Sequence, residues 1–231
     1  DVFLQSGVAY DIITKAADGT QVRKLLGVSV GGSGSEGTST IVTNYDALRA
    51  LSQDYDLVFV QGREIVGDGG EGWFEYLPSS SLADDDGVCL LRASSRYKRL
   101  VTGGVLDPRW YGVTYGTTAD QSTTIAAALV GSSTWNLETA IAGKVYLTQD
   151  LHIATNVRIL PGGGFYGTGI IYFDTGSQLL ECSARAFAGA SGNCPVYFAS
   201  GTTSVVIPDW FDAGDDSRLA WPQGKGQGAQ R

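Results

Sequence analysis

The chain has 231 residues, room for one large domain or two small ones, and 43% of them are hydrophobic, which excludes wholesale disorder. Glycine contributes 32 residues without a Gly-X-Y period, excluding collagen and long-helix proteins and pointing to short strands joined by tight turns. With 16 basic against 24 acidic residues the net charge is −8, the wrong sign for a free-standing nucleic-acid binder or for adhesion to an anionic membrane.

No apolar run approaches the roughly 20 residues of a membrane span, so no membrane insertion is expected. There is no methionine, so residue 1 is not an encoded start, and the sequence reads as trimmed or as a piece of a longer chain. Cys89, Cys182 and Cys194 are odd in number and contain no CxxC, which fits neither a disulfide framework nor zinc and suggests a reducing compartment. His152 is the one histidine. In the alternating Leu151-His152-Ile153 it should point outward, and its solitude removes most histidine-based catalysis.

In chain order, residues 1–30 read as a small N-terminal β unit. Val8, Tyr10 and Ile12 alternate, Asp18-Gly19 supplies a hairpin turn, and Val22 and Leu25 resume the pattern. Residues 31–40 form a Gly/Ser/Thr linker, the clearest boundary. Residues 41–113 restart with a helix over 45–52, N-capped by Asn44. Strand-like runs follow at Leu57–Val60, Trp73–Leu77, Val88–Arg92 and Tyr97–Val101, a compact antiparallel module.

Residues 114–221 open with a helix over 122–130, capped by Asp120 or Ser122. Then Leu147, Ile153, Ile159, Phe165 and Ile171 recur every six residues. Val145, Leu151 and Val157 keep the same step, and Gly163 and Gly169 continue it. A six-residue step with β-branched residues predicts short β-solenoid coils rather than a helix. The series spans only about 27 residues, little more than one circuit at about 20 residues each. Pro108-Arg-Trp110-Tyr111 is echoed by Pro208-Asp-Trp210-Phe211, whose aromatics are candidate anchors between modules or subunits. Residues 222–231 read as a linker or tail.

Two motifs that suggest chemistry read better as turns. Gly67-Asp-Gly69-Gly-Glu-Gly72 satisfies G-x-G-x-x-G, but a strand follows it and Asp68 and Glu71 would repel phosphate. Asp84-Asp-Asp86 lacks the spaced ligands of an EF-hand. Asp209, Asp212, Asp215 and Asp216 could in principle supply a carboxylate pair, though nothing fixes their separation. No catalytic, cofactor or metal residue is assigned.

The opening Val2 to Tyr10 with its Asp-Gly hairpin resembles the N-terminal β units of tailed-bacteriophage tail fibres and tailspikes. Asn44 to Leu51, Asp56 to Val60, Gly67 to Tyr76, Ala83 to Val88 and Tyr97 to Leu100 are similar to the adaptor that precedes the parallel β-helix in such spikes, and Trp110-Tyr-Gly112 to the family's Trp-Phe-Gly signature. The resemblance covers residues 1–175. It departs at Gly116 to Asp120, where an Asp-rich turn is usual, and at the second signature, Trp-Phe-Asp-Ala. It implies a mainly β chain: N-terminal unit, antiparallel β adaptor with short helices, then β-solenoid-like coils. It further implies a structural virion protein, a homotrimer docked on tail or portal-proximal proteins, assembled in the host cytoplasm and facing host surface polysaccharide. The long β-helix that carries receptor binding or cleavage is missing, so no catalysis is expected within these residues. The alternatives are the N-terminal part of a capsule or lipopolysaccharide depolymerase and a secreted carbohydrate-binding module.

Overall fold

The computed structural model describes residues 38–182, 185–187, 194–202 and 210, together with the backbone of strands β1 (Ala9–Lys15) and β2 (Gln21–Ser29). The chain divides into two units, Asp1–Val101 and Thr102–Arg231. β1 and β2 pair antiparallel, as expected for the N-terminal unit; the Asp18-Gly19 turn, most of the 31–40 linker and the 222–231 tail lie outside the described residues.

In the first unit, β3 (Ser39–Val42), β4 (Leu57–Val60), β5 (Gly72–Leu77), β6 (Cys89–Arg92) and β7 (Ser95–Arg99) form one sheet in the order β3-β4-β5-β7-β6. The last four are antiparallel neighbours, and β3 adds a parallel edge. Helix α1 (Tyr45–Arg49) starts where expected: the Asn44 carboxamide oxygen accepts from the Ala47 N–H at 2.9 Å, an N-cap. Tyr45 and Leu48 on its inner face pack with Val58, Val60, Phe74, Leu90 and Tyr97 into one core. Alternation along β4 and β7 supplies that core from one face of the sheet.

The second unit winds as parallel coils. One sheet runs β15-β12-β9-β8, built from β8 (Val105–Leu106), β9 (Glu138–Ile141), β12 (Val157–Ile159) and β15 (Leu179–Cys182). A second pairs β10 (Lys144–Leu147) with β13 (Gly164–Gly167). A third runs β11 (Leu151–Ile153), β14 (Ile171–Phe173), β16 (Val196–Phe198). Lys144 lies beside Gly164 and Leu151 beside Ile171, twenty residues on in both cases. Every apolar member of the six-residue series is buried: Leu147, Ile153, Ile159, Phe165 and Ile171 point inward, as do Val145, Leu151 and Val157. Gly163 and Gly169 occupy positions where a Cβ would collide with the carbonyl oxygens of Ile141 and Gln149, one coil away.

The structure revises three expectations. The stack is deeper than one circuit, because β15 and β16 continue it where the six-residue step has lapsed: Val157 pairs with Leu179 but Ile171 with Val196, so circuit lengths diverge. Residues 105–111 belong to the second unit rather than to the adaptor, because β8 pairs parallel with β9. Helix α2 spans Ser122–Trp135, beyond the expected 130. Gly131 does not end it; its bare face receives the Tyr111 ring, and the left-handed Asn136 (φ 51°) closes the helix instead.

Candidate functional site

The motifs that suggested cofactor or metal chemistry are consumed by the first unit's own scaffold. Partial burial pushes the Asp68 carboxyl up, but the N–H groups of Glu64, Arg63, Gly70 and Ile65, which donate to it at 2.8–3.1 Å, together outweigh burial and hold it below the usual carboxylate range. The glycine-rich loop is therefore a self-satisfied turn with no N–H array facing outward for phosphate. Asp85 accepts from the N–H groups of Gly87, Val88 and Cys89, and Asp84 and Asp86 pair with Arg49. Arg63 also pairs with Asp86. Among the described residues no three His, Cys, Asp or Glu side chains gather as a metal site.

Sequence reasoning missed the organising residue, Arg99, which is 2% exposed. Its guanidinium donates to the carbonyls of Glu71 (2.8 Å), Gly70 (2.8 Å) and Gly87 (3.3 Å) and to the Tyr45 hydroxyl (2.5 Å), and lies 4.6 Å from the centre of the Phe74 ring. One cation thus ties both loops to helix α1. Its signal was faint: Arg99 falls on the inward register of β7, opposite Phe74.

The four candidate anchors separate. In the 3-10 turn Pro108–Tyr111, Asp107 caps the start, Tyr111 is 5% exposed against α2, and Trp110 is half-buried. Trp210 is 6% exposed, and its carbonyl accepts from Phe187 N–H at 2.9 Å, joining the coil stack. Phe211 lies outside the described residues, as do Asp209, Asp212, Asp215 and Asp216.

On the coils, outward residues of like kind stack from rung to rung. His152, Tyr172 and Tyr197 form a ladder with centroid spacings of 4.7 and 5.3 Å and nearly parallel planes, and His152 Nδ1 lies 3.1 Å from Asp174. His152 is exposed, as its alternation implied. The rings' faces meet one another, so the ladder presents mainly edges to solvent. On the next face Arg158 bridges Glu138 and Glu181. At the corner between these faces an open cleft of about 450 Å³ is lined by Ser132, Ser133, Asn136, Thr155 and Asn156 among others. Burial pushes the three cysteine thiols up, Cys89 to about 11 and Cys182 and Cys194 to about 12, so they stay protonated at neutral pH.

Residues 41–102 match the family described as the phage tail protein small four-stranded beta-sheet domain. Residues 41–102 are thus similar to a phage tail domain. Within the matched residues β4 to β7 form an antiparallel four-stranded sheet, with the parallel β3 at its edge. The chain shares its fold with tailspike protein gp49 of the Acinetobacter baumannii bacteriophage Fri1, described as a capsular polysaccharide depolymerase (TM-score 0.51, 12% identity, covering 71% of this chain and 36% of that one). It is also similar to the tailspike of Acinetobacter baumannii phage AM24 (TM-score 0.49, 16% identity, 67% and 30% covered). A third similar structure is a Pantoea stewartii glycan biofilm modifying enzyme with a tailspike-like parallel beta-helix fold (0.42, 14%, 75% and 30%). The chain spans about a third of the length of these proteins. No curated protein matches. The phage tail domain followed by tailspike-like coils supports the family resemblance read from the sequence, the N-terminal region of a phage tail fibre or tailspike.

Proposed function

We propose that the chain is the anchoring part of a phage tail fibre or tailspike, a structural virion segment that attaches to the tail and carries receptor-recognising parts outward. The observation that carries this reading is the match of residues 41–102 to a phage tail domain, followed in the chain by parallel coils. Arg49, Arg63 and Arg99 and the acids of the 84–86 turn hold the loops of the first unit, which suits a scaffold. On this reading the chain assembles as a homotrimer, with Trp110, Tyr111, Trp210 and Phe211 contributing between modules where they are not already core. Tail particles assembled without their fibre should bind the purified chain and lose that binding when residues 1–37 are removed. Retention by the shortened chain would place the anchor elsewhere.

A second reading makes the chain the leading part of a depolymerase, favoured by the shared fold with a spike described as one. Incubation with host capsule or lipopolysaccharide separates the two: new reducing ends or unsaturated sugars support the enzyme, and none are expected from this chain.

A further inference from the structure

Strands β1 and β2 form a sheet of their own, and among the described residues neither pairs with any other strand. A two-stranded ribbon is marginal in water; further strands or a packed face are needed for it to persist. The longer edge is β2, nine residues without proline. Such an edge presents a row of unpaired N–H and C=O groups to which an extended strand can add. The register sets Tyr10 opposite Val28 and Ile12 opposite Leu25, so the ribbon is apolar away from its turn. Nearer the turn, Ile13 lies opposite Lys24, Thr14 opposite Arg23 and Lys15 opposite Gln21, which gathers three basic residues at one end. Even with Asp11 and Asp18 counted, residues 9–29 are net positive in a chain of net −8. Two such basic ends repel, and the register shifts after Tyr10 and Thr14 spoil flat pairing of one ribbon with another. The charge therefore selects an acidic partner rather than a second copy.

We propose that β2 adds as a strand to the open, acid-flanked sheet edge of a tail protein, which rests on the anchoring reading above and names its contact. Main-chain bonds along β2 supply the affinity, and Arg23 and Lys24 meeting carboxylates set the position. The test is hydrogen exchange, read by mass spectrometry, on the full chain free and bound to tail particles assembled without their fibre. In the free chain, pairing with β1 shields only alternate amides of β2. On the particles both of its edges are paired, so the remaining amides should gain protection as well. Arg23→Glu/Lys24→Glu should keep its circular dichroism spectrum, bind the particles about tenfold more weakly and lose much of the salt dependence. A bound chain whose β2 amides exchange as in the free chain would overturn strand addition while the anchoring reading stands. Equal binding by the charge-reversed variant would overturn the acidic partner. Protection on both edges in the free chain would make this chain or a second copy the occupant, and the proposal would fall. If the wild-type chain does not bind the particles, both readings fail together.

Discussion

Arg99 is expensive to desolvate and is retained at the centre of the phage tail domain because its fork satisfies carbonyls that no apolar side chain could reach. Arg99→Ala would leave the Gly70, Glu71 and Gly87 carbonyls without that donor inside the fold. The expected loss is about 3 kcal/mol, read as a lower urea midpoint; Arg99→Lys should recover only part, since an ammonium cannot span both loops. Asp120 shows the same principle at the surface. Its carboxylate accepts from the Ser122 hydroxyl, then from the N–H groups of Thr148 and Ser122, and these bonds hold it well below the usual carboxylate range. A lowered folded-state pKa means the stabilisation is fully present above the unfolded value near 3.8 and fades as pH falls below it. Asp120→Asn should therefore be less stable than wild type at neutral pH, and the gap should narrow in urea titrations below about pH 4. A gap that is constant with pH would assign the loss to geometry rather than charge.

At the scale of elements, the coils were legible because an inward residue is fixed by burial, and burial left a six-residue signature. What lay beyond Ile171 was not legible, since circuits of unequal length erase the period while parallel pairing persists. Helix α2 runs past the expected 130 because Gly131 is a notch for Tyr111 in the fold. The outward ladders leave no mark on the apolar period, because their members are polar or aromatic and solvent tolerates many residue types there, although His152 and Tyr172 stand twenty residues apart, one circuit. These positions should respond differently to substitution. Ile159→Ala opens a void between rungs and should cost about 3 kcal/mol. Gly163→Ala should cost at least as much, because its methyl meets the Ile141 backbone, which cannot move without shifting a strand. Arg158→Gln breaks an exposed ladder and should leave the thermal midpoint nearly unchanged. If Arg158→Gln proved the most damaging of the three, stacking of outward charges rather than the apolar interior would be holding the coils.

For the whole molecule, the sequence conveyed class and order, while the division between units required the pairing of β8 with β9 to be seen. Residues 38–101 contain what a small domain needs. Their core of Tyr45, Leu48, Val58, Val60, Phe74, Leu90 and Tyr97 closes within the segment, as do the Arg99 bonds and the Arg49 and Arg63 pairs with the 84–86 turn. Domains of about 60 residues are marginal but do fold alone when the core is continuous. Antiparallel neighbours β4-β5 and β6-β7 also keep the loops that must close short, which favours autonomous folding. The segment 38–101, expressed alone, should give dispersed amide resonances and one cooperative urea transition, abolished by Arg99→Ala. A fragment with collapsed amide dispersion at low temperature would mean that the phage tail domain depends on the coils for its fold.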